Sequence, residues 1–363
     1  MKRLLITALA LCPFLAQAQN ITGFLDYMDR FFVFDRGTIT QLEPQKPIAF
    51  ASGGDYLIYA ATGGDLKVYR DGQVRTIDQG IATTPTITDH FFGYVSAGAL
   101  KIFDGDSLRV LCRNTGASIV KDSIAAFYDE VQHTLQIYYD GTITPGEDAL
   151  MENPVQKWSA GDNTLAWINK ATLEFKIFQH GQLYVPASLV SNMRFIAGLD
   201  MVAFEDPSDR GLKVFEDGNV TNLEPVMPDS IFMGRGLFAY IDRSGALKVY
   251  QNGSLHTAMD FTPTGFFVKD SLVVINDNGY CKIFHDGSTG SVLSFWPNIW
   301  EANWGSFVYV DNGLTVNIWR NGIISTVMQR QPVKQFRLDH GLLTLVGTNN
   351  QVKIWWNGKL YEH

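Results

Sequence analysis

The chain has 363 residues, of which 46% are hydrophobic and 18% charged, and it carries a formal net charge of −8. This composition is that of a folded protein, because disordered chains are poor in apolar residues and rich in charge. The negative balance would repel the phosphate backbone of a nucleic acid, so it argues against a nucleic-acid partner.

The chain begins with the three parts of a secretory signal peptide. A basic start and an apolar run from Leu4 to Leu15 precede the triplet Ala-Gln-Ala, whose small residues suit a cleavage site. We therefore predict a signal peptide over residues 1–18, cleavage before Gln19, and one mature domain over residues 19–363. This signal predicts a periplasmic or secreted protein.

The sequence gives little support for a lipid anchor, a membrane-spanning helix or a disulfide framework. Cys12 as a lipid attachment site is an alternative, but Leu11 is too large for the position before such a cysteine. No later segment reaches 18 consecutive apolar residues, so we predict no membrane-spanning helix. Cys112 and Cys281 are too few for a disulfide framework, and their strand-like surroundings predict buried thiols, although one bridge stays open.

A repeat fills the rest of the chain. Ten glycines recur at intervals of 33 to 40 residues, and a Val or Ile followed by an aromatic residue stands shortly before each one. The anchors are Gly37, Gly72, Gly105, Gly141, Gly181, Gly218, Gly253, Gly287, Gly322 and Gly358. Short apolar runs separated by Asn-Gly or Asp-Gly turns indicate hairpins, with about four strands in each repeat and no helical periodicity.

Four short antiparallel strands repeated at this period resemble the blades of a β-propeller over the whole mature chain. The resemblance implies an all-β propeller of short four-stranded blades, with ten as the first choice. The sequence lacks the Trp-Asp ending of WD40 blades, the kelch double glycine and the Asp-box. Ten copies of the first three strands accompany only nine of the fourth, so a nine-bladed ring with an extra hairpin, two smaller propellers and an open arc are alternatives.

A lysine occupies one slot of the second strand in seven repeats. A residue repeated this often indicates a structural role, and we expect its stem along an aromatic ring and its ammonium in water or on a carboxylate. The seven are Lys67, Lys101, Lys176, Lys213, Lys248, Lys282 and Lys353.

No motif predicts a catalytic, metal or cofactor site. The seven histidines fall in different repeats or at the terminus, and no HExxH, paired CxxC or GxSxG motif is present. Aspartates that precede anchor glycines are expected to form turns. The insertion at residues 145–154 contains Glu147, Asp148 and Glu152 and is expected to be a solvated loop, with a partner contact as the second interpretation. We predict a protein that is not an enzyme and holds no cofactor.

Departures from the repeat supply the candidate binding residues. Tyr139 and Trp356 stand two positions before an anchor glycine, where most other repeats have a polar residue, so we expect them to be exposed contacts. Trp300 and Trp304 belong to the unique stretch SFWPNIWEANWGS and are candidates for a binding surface, with packing between blades as the alternative.

Two functional hypotheses follow. The first is a non-catalytic scaffold that binds a protein partner in an envelope complex, and the second is a propeller that binds or cleaves carbohydrate with stacking aromatics and paired carboxylates. A lectin would be expected to repeat its site, so the single aromatics favour the first. The aromatic, Asn-Gly-rich strands behind an Ala-Gln-Ala-Gln cleavage site are similar to exported proteins of bacteria with a type 9 secretion system. That resemblance implies a subunit of an outer-membrane machine, such as a plug or lid of its secretion pore.

Overall fold

The computed structural model describes residues 21–363 except residues 54, 81–84, 89, 148–154, 191 and 340. The predicted signal peptide and Cys12 lie outside the described residues. Within them the chain forms 39 strands and no helix. The described part of the chain accordingly has no helix with the length and apolarity needed to cross a bilayer.

The strands form ten antiparallel sheets in chain order, which are the ten blades of a propeller. Blade 1 contains β1 (Ile21–Leu25), β2 (Phe31–Asp35) and β3 (Thr38–Glu43); blade 2 β4 (Ala49–Ser52), β5 (Leu57–Ala60), β6 (Leu66–Arg70) and β7 (Gln73–Asp78); blade 3 β8 (Thr86–Ile87), β9 (Phe92–Ser96), β10 (Ala99–Phe103) and β11 (Leu108–Cys112); blade 4 β12 (Thr115–Val120), β13 (Ile124–Asp129), β14 (Thr134–Tyr139) and β15 (Thr142–Glu147); blade 5 β16 (Val155–Gly161), β17 (Thr164–Asn169), β18 (Phe175–Gln179) and β19 (Gln182–Ala187).

The second half of the ring repeats the same plan. Blade 6 contains β20 (Phe195–Gly198), β21 (Met201–Glu205), β22 (Leu212–Glu216) and β23 (Asn219–Glu224); blade 7 β24 (Phe232–Met233), β25 (Leu237–Ile241), β26 (Leu247–Gln251) and β27 (Ser254–Met259); blade 8 β28 (Gly265–Lys269), β29 (Leu272–Asp277), β30 (Tyr280–His285) and β31 (Ser288–Leu293); blade 9 β32 (Trp300–Asn303), β33 (Ser306–Val310), β34 (Val316–Arg320) and β35 (Ile323–Met328); blade 10 β36 (Val333–Asp339), β37 (Leu342–Gly347), β38 (Val352–Trp356) and β39 (Lys359–Glu362).

The fourth apolar run of each sequence repeat opens the next sheet instead of closing its own. Residues 49–52, which follow the third strand of the first repeat, pair with β5 and not with β3. Blade 1 therefore has three strands among the described residues, which correspond to the second, third and fourth strands of the other blades, and blades 2–10 have four. We call the first strand of each of blades 2–10 its inner strand, because these strands approach one another around the centre of the ring.

The anchor glycines form the hairpin between the third and fourth strands. Asp71 and Gly72, for example, have φ values of 50° and 76°, so both residues of this two-residue turn are left-handed. That conformation matches the twist of the flanking strands and favours Asn-Gly or Asp-Gly. The aspartates before the anchor glycines are thus turn residues, as predicted.

Apolar residues on both sides of the middle strands form the core. The strand Leu57–Ala60 is buried at every position, whereas Gln73–Asp78, at the outer edge of the same blade, exposes its first four residues. Both faces of a blade are covered by neighbours, so a middle strand has no solvated side. Cys112 and Cys281 are both buried and free, and burial raises the pKa of the Cys281 thiol to about 12.

The repeated lysines bind carboxylates, which confirms the structural role predicted for them. Lys67 Nζ lies 2.7 Å from Glu43 Oε1, and the hydroxyl of Tyr59 donates to the same oxygen at 3.1 Å. Glu43 closes blade 1, so this contact links two blades. The seven ion pairs are Lys67–Glu43, Lys101–Asp78, Lys176–Glu147, Lys213–Asp206, Lys248–Asp242, Lys282–Asp277 and Lys353–Glu362.

Glu147 does not lie in a solvated loop, contrary to expectation. Its side chain is buried at the end of β15, where it accepts a hydrogen bond from Trp167 Nε1 at 2.8 Å and pairs with Lys176 at 2.9 Å. The hydrogen bond from Trp167 and the positive charge of Lys176, both in the next blade, explain why a carboxylate is stable at this depth. Asp148 and Glu152 lie outside the described residues.

The ring closes where blade 1 meets blade 10. Three phenylalanines of blade 1 pack against Leu342, Val352 and Ile354 of blade 10. Thr22 Oγ1 donates to Asp339 Oδ2 at 2.9 Å, which adds a polar contact across the same boundary. Side-chain contacts between blades 1 and 10 therefore close the ring, without a strand shared by the two ends of the described chain. The structure is a ten-bladed ring and not an open arc or two smaller propellers.

Candidate functional site

The turns of the propeller form two faces of different chemistry. The turns between first and second strands and between third and fourth strands form one face, which we call the aspartate face. Its described turns contain three basic residues, Arg36, Lys121 and Arg235, and eleven aspartates. The aspartates are Asp55, Asp71, Asp104, Asp106, Asp122, Asp140, Asp162, Asp200, Asp217, Asp270 and Asp286.

The opposite face, which we call the apolar face, contains the turns between second and third strands and the linkers between blades. Seven large apolar residues are exposed in the described parts of these turns and linkers, whereas none is exposed in a described turn of the aspartate face. The seven are Tyr27, Met28, Ile48, Val131, Leu189, Phe261 and Leu314. Tyr280 directly follows a turn of the apolar face and is also exposed, and Ile323 holds the comparable place beside the aspartate face.

Two exposed leucines on the apolar face have a left-handed backbone. Leu189, with φ 57°, is 83% exposed, and Leu314, with φ 59°, is 50% exposed. A leucine in this conformation is strained, because its Cβ crowds the backbone. Burial does not compensate either residue, so the fold alone does not account for these side chains.

Leu314 replaces small or polar residues of sister blades. Its N–H bonds to the carbonyl of Asp311, and Gly64, Gly245 and Asn350 make the same turn bond in blades 2, 7 and 10. Glycine and asparagine adopt a left-handed backbone with little strain. Sequence reasoning missed Leu314, although an alignment of these turns would have identified it as the exception.

A cavity of about 200 Å³ lies at the centre of the ring, near the aspartate face. Inner strands of blades 2, 3, 9 and 10, with their following turns, contribute its walls, so we call it the channel-mouth cavity. The residues that line it are Phe50, Ala51, Ser52, Ile87, Thr88, Asn303, Trp304, Arg337 and Asp339.

Trp304 is the predicted binding residue that reaches this cavity. It begins the turn after β32 with φ 50°, and no other Trp, Tyr or Phe among the described residues has a positive φ. The guanidinium carbon of Arg235, from blade 7, lies 4.5 Å from the centre of its ring. Asp270 of blade 8 accepts backbone N–H bonds from Arg235 and Gly305, which joins three successive turns.

Trp300 packs inside the interface between blades 8 and 9. Its half-buried ring lies between 5.3 and 5.7 Å from the rings of Phe267, Trp296 and Phe307. The structure therefore places Trp300 and Trp304 in different environments, although four residues separate them in the sequence. For Trp300, packing between blades is the role that the contacts describe.

Tyr139 and Trp356 are half-buried, which corrects the expectation that they are exposed. Tyr139 packs against Phe178 at 5.8 Å and its hydroxyl lies 3.2 Å from His180 Nδ1, both in the next blade. Trp356 packs 5.9 Å from Phe34 of blade 1. The neighbouring blade covers this position once the ring forms, and the repeat alone does not reveal that cover.

The described residues show no arrangement for metal binding. No group of three or more His, Cys, Asp or Glu side chains in the described ranges could hold a metal ion. His180, at a hairpin turn, lies 3.0 Å from Asp200 and contacts Tyr139, so its neighbours are those of a contact between blades.

Comparison with known protein families gives one match that spans nearly the whole chain. The model of the 10-bladed beta propeller domain matches residues 15–361. A comparison with curated proteins finds no match.

Three solved structures are similar to this chain at low identity. The computationally designed Ika8 protein is 15% identical, with 85% of this chain and 96% of that chain covered and a TM-score of 0.37. The tricorn protease is 10% identical, with 92% and 45% covered and a TM-score of 0.32. The CRINKLY WD40 ectodomain of the Arabidopsis thaliana receptor kinase ACR4 is 10% identical, with 76% and 94% covered and a TM-score of 0.34. At these TM-scores none of the three superposes closely on this chain.

Proposed function

This chain belongs to the family of 10-bladed β-propeller domains, and we propose that it is an exported, non-catalytic scaffold that docks onto a protein partner through its apolar face. The observation that carries the proposal is the unequal distribution of exposed apolar side chains between the two faces. Among the described residues, seven occupy turns and linkers of the apolar face, and the turns of the other face are rich in aspartate. Exposed apolar residues concentrated on one surface are typical of interaction sites.

The strained leucines support the same face. Leu189 and Leu314 occupy left-handed positions that favour glycine or asparagine, and both expose their side chains. An exposed side chain gains no burial energy that could offset its backbone strain. Such a residue indicates a contact with another molecule. A docked partner would remove both side chains from water.

The distribution of these residues describes the shape of the partner. Tyr27, Val131, Leu189, Phe261 and Leu314 belong to turns and linkers in different parts of the ring. A partner that contacts several of them must be broad, such as a subunit of a membrane complex. The signal peptide predicted at residues 1–18 would bring the chain to such a complex in the cell envelope.

The more specific form of the proposal is a plug or lid over an outer-membrane secretion pore. It rests on the predicted export of the chain and on its resemblance to exported proteins of bacteria with a type 9 secretion system. In this arrangement the apolar face contacts the pore protein and the aspartate face points away from it.

Affinity capture from detergent-solubilised envelopes tests the proposal. The tagged wild-type protein should recover one stoichiometric membrane partner, and mass spectrometry of that partner tests the pore hypothesis. A double variant, Leu189→Asn with Leu314→Gly, should lose the partner while its circular dichroism spectrum is unchanged. Ile323→Ser, which removes an exposed apolar residue beside the aspartate face, is the matched control and should retain it. Equal recovery by the double variant, or no stoichiometric partner at all, would contradict the proposal.

A further inference from the structure

The channel-mouth cavity combines an aromatic surface with several different hydrogen-bonding groups. Trp304 and Phe50 contribute rings, Asn303 an amide and Ser52 a hydroxyl group, whereas the Thr88 hydroxyl is hydrogen-bonded to the backbone of Phe91. Aromatic rings with planar polar side chains and hydroxyls can contact both the apolar face and the hydroxyl groups of a sugar ring. The cavity lies near the aspartate face, opposite the exposed apolar residues, so it is a second and separate surface.

The turn at Trp304 is strained and specifically supported. Its φ of 50° is unfavourable for a bulky residue, and the equivalent position of blade 8 is Asp270, with φ 53°. The Asp270 carboxylate accepts the Gly305 N–H at 3.2 Å, and Arg235 covers part of the indole at 4.5 Å. Two neighbouring blades thus hold the indole beside the cavity, which is the rigid support that a binding residue requires.

Charge in the cavity wall is balanced. Arg337 Nε donates to Asp339 Oδ2 at 2.8 Å, so the cation and the anion that line the cavity neutralise each other. Eleven aspartates occupy the described turns of the surrounding face. A strongly anionic ligand would be repelled by that face, and a cation would find the Asp339 carboxylate already paired. The electrostatics therefore favour an uncharged ligand.

The size of the cavity limits the ligand further. A volume of about 200 Å³ is below the range of roughly 300–1,000 Å³ that is usual for drug-sized ligands. It therefore suits one ring and not an extended peptide. From the aromatic walls, the hydroxyl and amide groups, the balanced charge and this volume, we propose that the cavity binds the uncharged terminal sugar of a glycan, with Trp304 as the stacking surface and Asn303 as a hydrogen-bonding partner.

This proposal is independent of docking through the apolar face, since the cavity opens near the opposite face of the ring. A glycan whose end enters the cavity would extend away from the aspartate face. A docked partner and a bound glycan can then be present together.

The experiment uses the purified full-length exported protein on an array of oligosaccharides that end in neutral hexoses, N-acetylhexosamines, uronic acids or sialic acids. Binding to neutral termini is expected, and the strongest free oligosaccharide is then measured by isothermal titration calorimetry. Trp304→Asn keeps a residue suited to a left-handed backbone and should weaken binding on the order of tenfold or more. Asn303→Asp keeps the acceptor for the Trp304 N–H, removes the amide donors and should weaken binding as well.

Tyr280→Asn, on the apolar face, is the matched control and should bind as the wild type does. The proposal is wrong if no neutral terminus binds, if only acidic termini bind, or if Trp304→Asn and Asn303→Asp both bind the neutral glycan with wild-type affinity. A protein that binds the glycan but captures no partner would leave the cavity assignment intact. A protein that captures the partner but binds no glycan would leave the docking proposal intact.

Discussion

Arg337 of blade 10 lies across the ring boundary from Phe50 of blade 2, with its guanidinium carbon 5.1 Å from the centre of the phenyl ring. The two side chains meet beside blade 1, which has no inner strand among the described residues. Arg337 also donates hydrogen bonds to Thr22 Oγ1 and to the carbonyl of Gly23 in β1. One side chain thus connects the last blade with the first two.

Replacement of Arg337 by alanine should destabilise the ring. The change removes the charged donor from the Gly23 carbonyl and leaves Asp339 without its cation, for an expected loss of about 2 kcal/mol. Urea unfolding followed by tryptophan fluorescence measures this loss. Arg243→Ala, at an exposed position, is the control and should be nearly neutral, and equal midpoints for the two variants would contradict the role of Arg337.

Trp356 should contribute to stability more than to partner binding. Its ring packs against Phe34 across the ring boundary, so Trp356→Ala leaves a gap between blades 10 and 1. Because the side chain is half-buried, we expect a loss of about 2 kcal/mol, below the usual cost for a fully buried tryptophan. Thermal unfolding measures the loss, and Trp356→Phe should recover part of it. A stable Trp356→Ala variant that fails to capture the partner would reverse this assignment.

The ion pair of Asp206 and Lys213 should make stability depend on pH. Burial alone would raise the pKa of Asp206, but hydrogen bonds from Lys213 and Ser208 outweigh it and lower the pKa to about 2. Since the folded pKa lies below the unfolded value of about 3.9, the charged form stabilises the fold above about pH 4, and this contribution disappears as the pH falls towards 2.

Asp206→Asn should therefore cost roughly 2–3 kcal/mol at neutral pH and almost nothing near pH 2, because a shift of about two pKa units, at about 1.4 kcal/mol per unit, corresponds to that energy. Urea unfolding of both proteins at several pH values measures the difference. A cost that is the same at both ends of this range would show that the charge of Asp206 is not its source.

Leu314→Gly should raise stability and lower partner capture together. The left-handed backbone at Leu314 costs roughly 1 kcal/mol for a residue with a Cβ, and glycine removes that strain. Chemical unfolding measures the gain, and capture from envelopes measures the loss of the partner. A variant that is less stable than the wild type would mean that the leucine packs inside the fold and is not held for a partner.

Much of the fold could be predicted from the sequence because the anchor glycines fix the hairpins. The left-handed turns at residues such as Asp71 and Gly72 require the Asp-Gly pairs that the repeat supplies. The structural role of the lysines could also be predicted, because a residue that recurs at one position in seven repeats has a similar environment in each. These features are local or recur in each blade.

Contacts between distant blades could not be predicted from the repeat. Trp356 resembles an exposed exception until ring closure places Phe34 beside it, and Trp304 meets Arg235 only because the turns of blades 7 and 9 converge near the channel. Leu314 was overlooked because its importance depends on a backbone angle. Closure, convergence and strain are properties of the assembled ring.

Site-specific photo-crosslinking in cells tests most directly whether a partner docks on the apolar face. A photoreactive phenylalanine analogue is placed at Leu189, at Leu314 or at Asn252, which is exposed on the aspartate face and has a similar left-handed backbone with φ 51°. We predict that Leu189 and Leu314 crosslink to the same envelope protein and that Asn252 does not. Equal crosslinking from Asn252, or none from the two leucine positions while the partner is still captured, would contradict the account.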